Sequence, residues 1–107
     1  RLERSDMESL SISERLHNVL DQLEPGDSLE VKVARLAESE LRRRLARYQL
    51  TDRQFRAKYG MTLEEFETGG VIAERNYSHE VETDHQDWDM AVDGIRSTER
   101  QLTDLLG

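Results

Sequence analysis

The sequence contains no cysteine, a single proline and only six aromatic residues among 107. The absence of cysteine excludes disulfide bonds, a thiolate nucleophile and any zinc site built on cysteine. So few aromatic residues and prolines argue against a β-sandwich, which needs many strands and turns. No run of eighteen apolar residues and no signal-peptide core occurs, so we expect a cytoplasmic protein without a transmembrane segment.

Charged residues make up 36 % of the chain, and hydrophobic residues make up the same share. Arg, Glu and Leu are frequent, which favours helices. A chain of this length forms one domain, residues 1–107, and buries roughly 60–65 % of its unfolded surface, so we expect an elongated helical domain or an oligomer. Because the sequence begins at Arg1, we place the natural start at Met7 or upstream, and we expect residues 1–10 to be flexible.

Charge is distributed unevenly along the chain, whose total is −8. Residues 1–29 carry 3 basic and 7 acidic groups, residues 30–60 carry 9 and 4, and residues 61–107 carry 3 and 12. The middle is therefore basic and the C-terminal part strongly acidic. This asymmetry predicts either pairing between the two segments or an acidic surface that binds a basic partner.

An N-terminal helix is predicted between a capping box and a helix stop. The box is formed by Ser11 and Glu14, and the stop is Pro25-Gly26. The apolar residues between them recur at helical spacing: Ile12, Leu16, Val19, Leu20 and Leu23. A helix with one apolar side of this kind packs against a neighbouring element.

A second helix, from about 28 to 49, is predicted to begin at Asp27 or Ser28. Its apolar stripe is narrow and suits packing against one or two other helices. The stripe consists of Ala34, Ala37, Leu41, Leu45 and Tyr48.

The stretch LTDRQFRAKYGMTLEEFE contains the same helix-start pattern twice. Thr51 and Thr62 each precede a residue that can complete the cap three positions later, and Gly60 and Gly69-Gly70 can end the two helices. The pattern predicts two short capped helices and a linker at 69–77. Leu50 is expected to staple to Phe55, and Met61 to Phe66, at the two helix starts. Phe55, Tyr59, Met61 and Phe66 are expected to fill a compact corner.

The longest periodic pattern predicts a helix at about 78–105 that lies antiparallel to the helix at 28–49. Its proposed heptad positions are a = Val81, Trp88, Ile95 and Leu102, and d = His85, Val92, Glu99 and Leu106. The predicted fold is therefore all-α: a long antiparallel helical hairpin with an N-terminal helix and two short capped helices between its arms.

No pattern for catalysis or for a cofactor is found. His79 and His85 are six residues apart, about 240° around a helix, and cannot bind one metal ion together within a single helix. The chain has no HExxH sequence, no EF-hand loop, no Gly-x-Ser-x-Gly elbow and no glycine-rich phosphate loop. We therefore expect no enzyme activity, no cofactor and no metal site.

A basic patch for nucleic acid is a second interpretation of the central helix. Arg42, Arg43, Arg44 and Arg47 could contact phosphates, while a solvated face that pairs with nearby acids explains the same residues. The corner at Gly60 resembles a helix-turn-helix in outline. Its second helix, however, carries Glu64, Glu65 and Glu67, which phosphates would repel.

One motif resembles a known family. Lys58-Tyr59-Gly60-Met61-Thr62 and Glu64-Glu65-Phe66 match "KYGM-[ST]-x-E-E-F", and Asp84 or Asp87 before Trp88 matches a following "D-x-x-[DE]-W" pattern. Over residues 36–95 the chain resembles small helical antitoxins encoded in archaeal and cyanobacterial toxin–antitoxin loci. The first helix and the sequence VIAERN are not covered by the resemblance.

This resemblance implies an antitoxin that binds and neutralises a small RNase-like toxin, encoded nearby. The charge pattern fits, because an acidic helix can occupy a basic RNA-binding cleft. The expected partner-binding residues are Glu80, Glu82, Asp84, His85, Asp87, Trp88, Asp89 and Asp93. Trp88 is either an anchor in this interface or a residue of the hairpin core.

Two alternative functions are carried with this one. The chain can be a self-assembling helical or coiled-coil protein, in which the basic helix of one copy lies on the acidic helix of another; a homodimer is one form of this. It can also be a DNA-binding autoregulator that uses the face from Arg42 to Arg47.

Overall fold

The computed structural model describes residues 12–26 and 28–107. The regular secondary structure in these ranges is entirely helical, which confirms the predicted all-α class. The helices are α1 (Glu14–Leu23), α2 (Leu29–Tyr59), α3 (Leu63–Thr68), α4 (Val71–Glu74) and α5 (His79–Leu106). The chain divides into two compact units, one ending at Ala37 and the other beginning at Glu38.

The first unit contains α1 and the first turns of α2. The predicted cap Ser11 lies outside the described residues, as does the segment 1–10 that was expected to be flexible. Ser13 caps α1 instead, because its hydroxyl accepts a hydrogen bond from the Leu16 N–H at 3.1 Å. Lys32 pairs with Asp21, which ties α1 to α2.

Helix α2 begins after Ser28, whose hydroxyl accepts from the Val31 N–H at 3.1 Å; the alternative cap, Asp27, lies outside the described residues. The predicted end at Gln49 is wrong, and so is the predicted cap at Thr51. The Thr51 hydroxyl donates to the Arg47 carbonyl at 3.2 Å inside a continuous helix. No glycine or proline interrupts residues 29–59, so a cap-like sequence does not end the helix. The predicted Leu50 staple is also wrong, since Leu50 is exposed.

The corner after α2 has the helix end and the capping box that the sequence predicts. Gly60 ends α2 in the left-handed region at φ 69°, as predicted. Thr62 and Glu65 form the predicted capping box, with hydrogen bonds of 3.2 and 2.8 Å. The segment 69–77, predicted to be a linker, contains the short helix α4, because Val71 is apolar and is buried in the core.

Helix α5 begins after Ser78 and confirms the predicted long C-terminal helix. Its contacts with α2 run in opposite directions along the two helices, which shows that the pair is antiparallel. From the α5 N-terminus onward the contacting pairs are Glu80 with Lys58, Asp84 with Tyr59, Trp88 with Asp52, and Gly94 with Tyr48. The N-terminal half of α5 thus packs on the part of α2 that had been predicted to be a separate helix.

The predicted heptad seam is correct at its a positions Val81, Trp88 and Leu102, which are buried. The fourth a position, Ile95, is half-buried. The predicted d positions are wrong at Glu99 and Leu106, which are exposed, whereas His85 and Val92 are half-buried. Ala91 and Thr98, each one position before a predicted d residue, are buried. The buried residues Ala91 and Thr98 each lie three residues after an a position, and the next a position follows four residues later. Small side chains occupy these positions, and an assignment based on large apolar residues selects the next position instead.

The core of the second unit is an aromatic cluster at the corner. Phe66 and Trp88 are fully buried, and their ring centroids lie 5.2 Å apart. Tyr59 contacts the Phe66 ring edge-to-face at 4.7 Å, and Phe55 stacks on Trp88 at 5.6 Å. Met61 packs against the same cluster, so the aromatic plug predicted for this corner is confirmed.

Gly94 lies in the middle of α5, where glycine costs about 1 kcal/mol of helix stability relative to alanine. A Cβ at this position would lie only 2.7–2.8 Å from three atoms of the Tyr48 ring. Since overpacking costs about 1–3 kcal/mol, Gly94→Ala is expected to lower the free energy of unfolding by about 1 kcal/mol in urea titrations.

Two variants test the cause of this loss. Ser97→Ala, on the exposed side of the same helix, is expected to leave stability unchanged or slightly higher. In a Tyr48→Leu background, Gly94→Ala is expected to be stabilising. Equal destabilisation in both backgrounds would show that the Tyr48 contact is not responsible.

Candidate functional site

The acidic residues of α5 lie on two different sides of the helix. Glu82, Asp89 and Asp93 are exposed, and their spacing of seven and four residues places them on one side. We call these three residues the outer acidic face. The ion pairs of α5 in the described part of the chain involve Glu80, Asp84 and His85, and none holds a member of this face.

The acids on the side of α2 are held by α2 itself. Lys58 Nζ lies 2.6 Å from Asp84 and 3.0 Å from Glu80, and the Tyr59 hydroxyl donates to Asp84 at 2.6 Å. Burial raises the pKa of Asp84, but the hydrogen bonds from Lys58 and Tyr59 outweigh it, so its pKa lies below the usual value. Asp84 therefore joins the two helices, and it is not a free contact for a partner.

The same hydrogen bonds also shift the pKa values of Lys58 and Tyr59. Hydrogen bonds to Asp84 and then to Glu80 hold the pKa of Lys58 well above its usual value. Burial, followed by the hydrogen bond to Asp84, raises the pKa of Tyr59. All three groups are thereby kept in the protonation states that form the network at neutral pH.

Trp88 belongs to the core, and its predicted alternative role as an interface anchor is wrong for this structure. The side chain is fully buried, and its indole N–H donates to Asp52 Oδ1 at 2.8 Å. The second oxygen of Asp52 lies 3.0 Å from Arg56 Nε. Sequence reasoning missed Asp52, because this residue stood inside the apparent cap at Thr51 and its partner lies on another helix.

Two further residues that were predicted to contact a partner, His85 and Asp87, lie beside other helices of the same chain. His85 is half-buried, with Nε2 2.7 Å from Glu67 of α3, and its ring lies 5.9 Å from that of Phe66. Asp87 is exposed and lines a groove between α2 and α5. No group of three or more metal-binding side chains lies together in the residues that the structure describes.

The four arginines of the alternative nucleic-acid face lie on exposed parts of α2. Three of them pair with acids one turn earlier: Arg42 with Glu38 at 2.7 Å, and Arg43 and Arg44 with Glu40 at 2.5 and 2.8 Å. The hydrogen bond from Arg44 lowers the pKa of Glu40. Arg47 is exposed. Because its acids offset much of the positive charge, this face is a weaker phosphate site than the sequence run suggests.

A groove of about 390 Å³ is lined by residues of α2, of α5, and of α3 with its cap. It carries carboxylates and guanidinium groups over a small apolar floor. Its lining residues are Asp52, Arg56, Thr62, Leu63, Glu64, Glu67, Val92 and Arg96. Charges of both signs line it, and the ion pair of Asp52 with Arg56 is structural, so the outer acidic face is the more distinctive surface.

Comparison with known proteins gives no family assignment: no family model, no curated protein and no solved structure matches this chain significantly. The resemblance to antitoxins therefore depends on the motif alone. In the described part of the chain, none of the helices has the length and apolar character needed to cross a membrane.

Removing the acceptor of the buried indole is expected to destabilise the protein. Asp52→Ala leaves the Trp88 N–H without a partner, which costs about 1–3 kcal/mol, and Asp52→Asn, which keeps an acceptor, is expected to cost less. Urea unfolding measures both changes. Arg56→Gln is the control for the ion pair; a loss as large as that of Asp52→Ala would assign the effect to Arg56 instead.

The lowered pKa of Asp84 predicts acid sensitivity. Its stabilising contribution is present above the unfolded-state pKa of about 3.9 and is lost as the pH falls through the lower folded-state value. Asp84→Asn is therefore expected to reduce stability at pH about 7 by about 1–2 kcal/mol and to flatten the acid dependence. Urea titrations from neutral to acid pH test this. Parallel curves for the two proteins would exclude the contribution.

Proposed function

We propose that this chain is a non-enzymatic protein-binding module of the antitoxin type. In this proposal it neutralises a small basic RNase-type toxin, encoded nearby, by covering the toxin's RNA-binding cleft with α5. The observation that carries the proposal is the outer acidic face, formed by Glu82, Asp89 and Asp93. These side chains are exposed, share one side of a long helix, and form no ion pair within the described part of the chain.

The position of this face supports binding by a rigid element. Trp88 and Val81 fix the opposite side of α5 in the core, so the carboxylates are presented without reorganising the fold. Residues 61–107 carry 12 acidic and 3 basic groups, which produces a negative field around the helix. Such a field accelerates association with a basic partner and opposes association with nucleic acid.

This proposal uses fewer partner-binding residues than were predicted from the sequence. Glu82, Asp87, Asp89 and Asp93 are available at the surface, and Glu80 is exposed while paired with Lys58. Asp84, His85 and Trp88 instead hold α5 in place. Binding by occlusion requires only surface carboxylates, which agrees with the proposal that the chain has no catalytic role.

The two alternative functions have less support. A DNA-binding regulator would use Arg42, Arg43, Arg44 and Arg47, of which three are paired within α2. Assembly of the basic helix on the acidic helix of another copy would compete with the same intrahelical pairs. The outer acidic face, by contrast, has no such competitor among the described residues.

Charge reversal tests the proposal directly. The triple variant Glu82→Lys, Asp89→Lys and Asp93→Lys is expected to weaken binding to the basic protein encoded nearby by about 100-fold or more, and to abolish its inhibition of RNA cleavage. Binding is measured by titration calorimetry at about 50 mM and about 500 mM salt, since high salt screens exposed charges.

The control is a second triple variant with the same change in net charge, Glu14→Lys, Glu64→Lys and Glu74→Lys, at exposed acids outside α5. It is expected to bind within about threefold of the natural protein. Equal loss in both triple variants would indicate a general charge effect. Unchanged binding by the α5 variant would reject occlusion through this face.

A further inference from the structure

We propose that two copies of this chain associate by placing α1 of each copy in a groove between α2 and α5 of the other. The inference does not depend on the proposed toxin binding: apart from Asp87, which lines the groove, it uses none of the residues proposed to contact the toxin. It joins two apolar surfaces that the described structure leaves exposed, one on a helix and one in a groove.

The first surface is an apolar stripe on α1, formed by Leu16, Val19 and Leu23. These side chains are 44, 46 and 59 % exposed, whereas Leu20 is buried. Positions i, i+3 and i+7 lie on one side of a helix, and amphipathic helices use this pattern to fill apolar grooves. Within the first unit, Asp21 of α1 contacts Lys32, and the carbonyl of Pro25, after the helix, accepts from Arg35; these contacts leave the stripe exposed.

The second surface is a groove of about 340 Å³ in the second unit. Most of its lining is apolar, and residues of α2 and α5 form it: Tyr48, Thr51, Gln54 and Phe55 of α2, and Asp87, Met90 and the buried Ala91 of α5. Met90 is 69 % exposed, the highest value among the large apolar side chains described. Ala91 is the small residue that α5 contributes to the groove, and it leaves room for the side chains of another helix.

Charge and symmetry favour a second copy as the occupant. The charged residue of the groove is Asp87, and Arg15, exposed one turn before Val19, borders the stripe. One helix of ten residues is about 15 Å long and alone buries too little for a stable interface, which needs about 1,200 Å² in total. A two-fold dimer forms the same contact twice, because each copy gives its α1 and receives the other's.

Sedimentation velocity at concentrations above about 10 µM tests the association. The natural chain is expected to have twice the 12.5 kDa chain mass, and Val19→Glu and Met90→Glu are each expected to have the chain mass. Both substitutions are at exposed side chains, so circular dichroism is expected to show unchanged helicity. Leu106→Glu, an exposed apolar control outside both surfaces, is expected to remain dimeric.

Cysteine cross-linking identifies which surfaces meet, because the chain has no cysteine of its own. Under oxidation, Val19→Cys with Met90→Cys in one chain is expected to give a covalent dimer, while neither single variant does. Val19→Cys with Ala57→Cys, on the exposed side of α2, is the negative control. A natural chain that remains monomeric, a dimeric Met90→Glu variant, or a covalent dimer of Val19→Cys alone would each overturn the proposal.

Discussion

The hydrogen bond between Trp88 and Asp52 is the interaction on which the rest of the second unit depends. A fully buried indole contributes a large apolar surface, but its N–H must find an acceptor. Asp52 supplies that acceptor only if α2 continues as a helix past Thr51 and lies antiparallel to α5. The aromatic cluster of Phe55, Tyr59 and Phe66 then closes around the indole ring.

The same packing separates the acids of α5 into two groups with different roles. Those near α2 meet Lys58 and Tyr59, and their charges stabilise the hairpin. The acids on the opposite side are exposed to solvent, and their charges contribute to the electrostatic field around the protein. A single acidic sequence run therefore contains both a structural network and a surface suited to a basic partner, and only the side of the helix distinguishes them.

The apolar side chains also fall into a buried group and an exposed group. The corner of the second unit buries its large side chains, whereas α1 buries only Leu20 and leaves its remaining apolar stripe exposed. In α5, Gly94 leaves room for the Tyr48 ring, and Ala91 lines the groove beside Tyr48 and Met90. Exposed apolar patches on a protein surface mark association sites.

The sequence alone determined the helical class, the start of α2 at residue 27 or 28, the long C-terminal helix from about residue 78, the cap at Thr62 and the helix end at Gly60. These features depend on interactions between residues three or four positions apart, which a local pattern contains. The tertiary structure decided that Thr51 lies inside α2, that Ala91 and Thr98 occupy the seam, and which acids remain exposed. Those outcomes depend on contacts such as Asp52 with Trp88, distant in sequence, whose energies override local signals when a core forms.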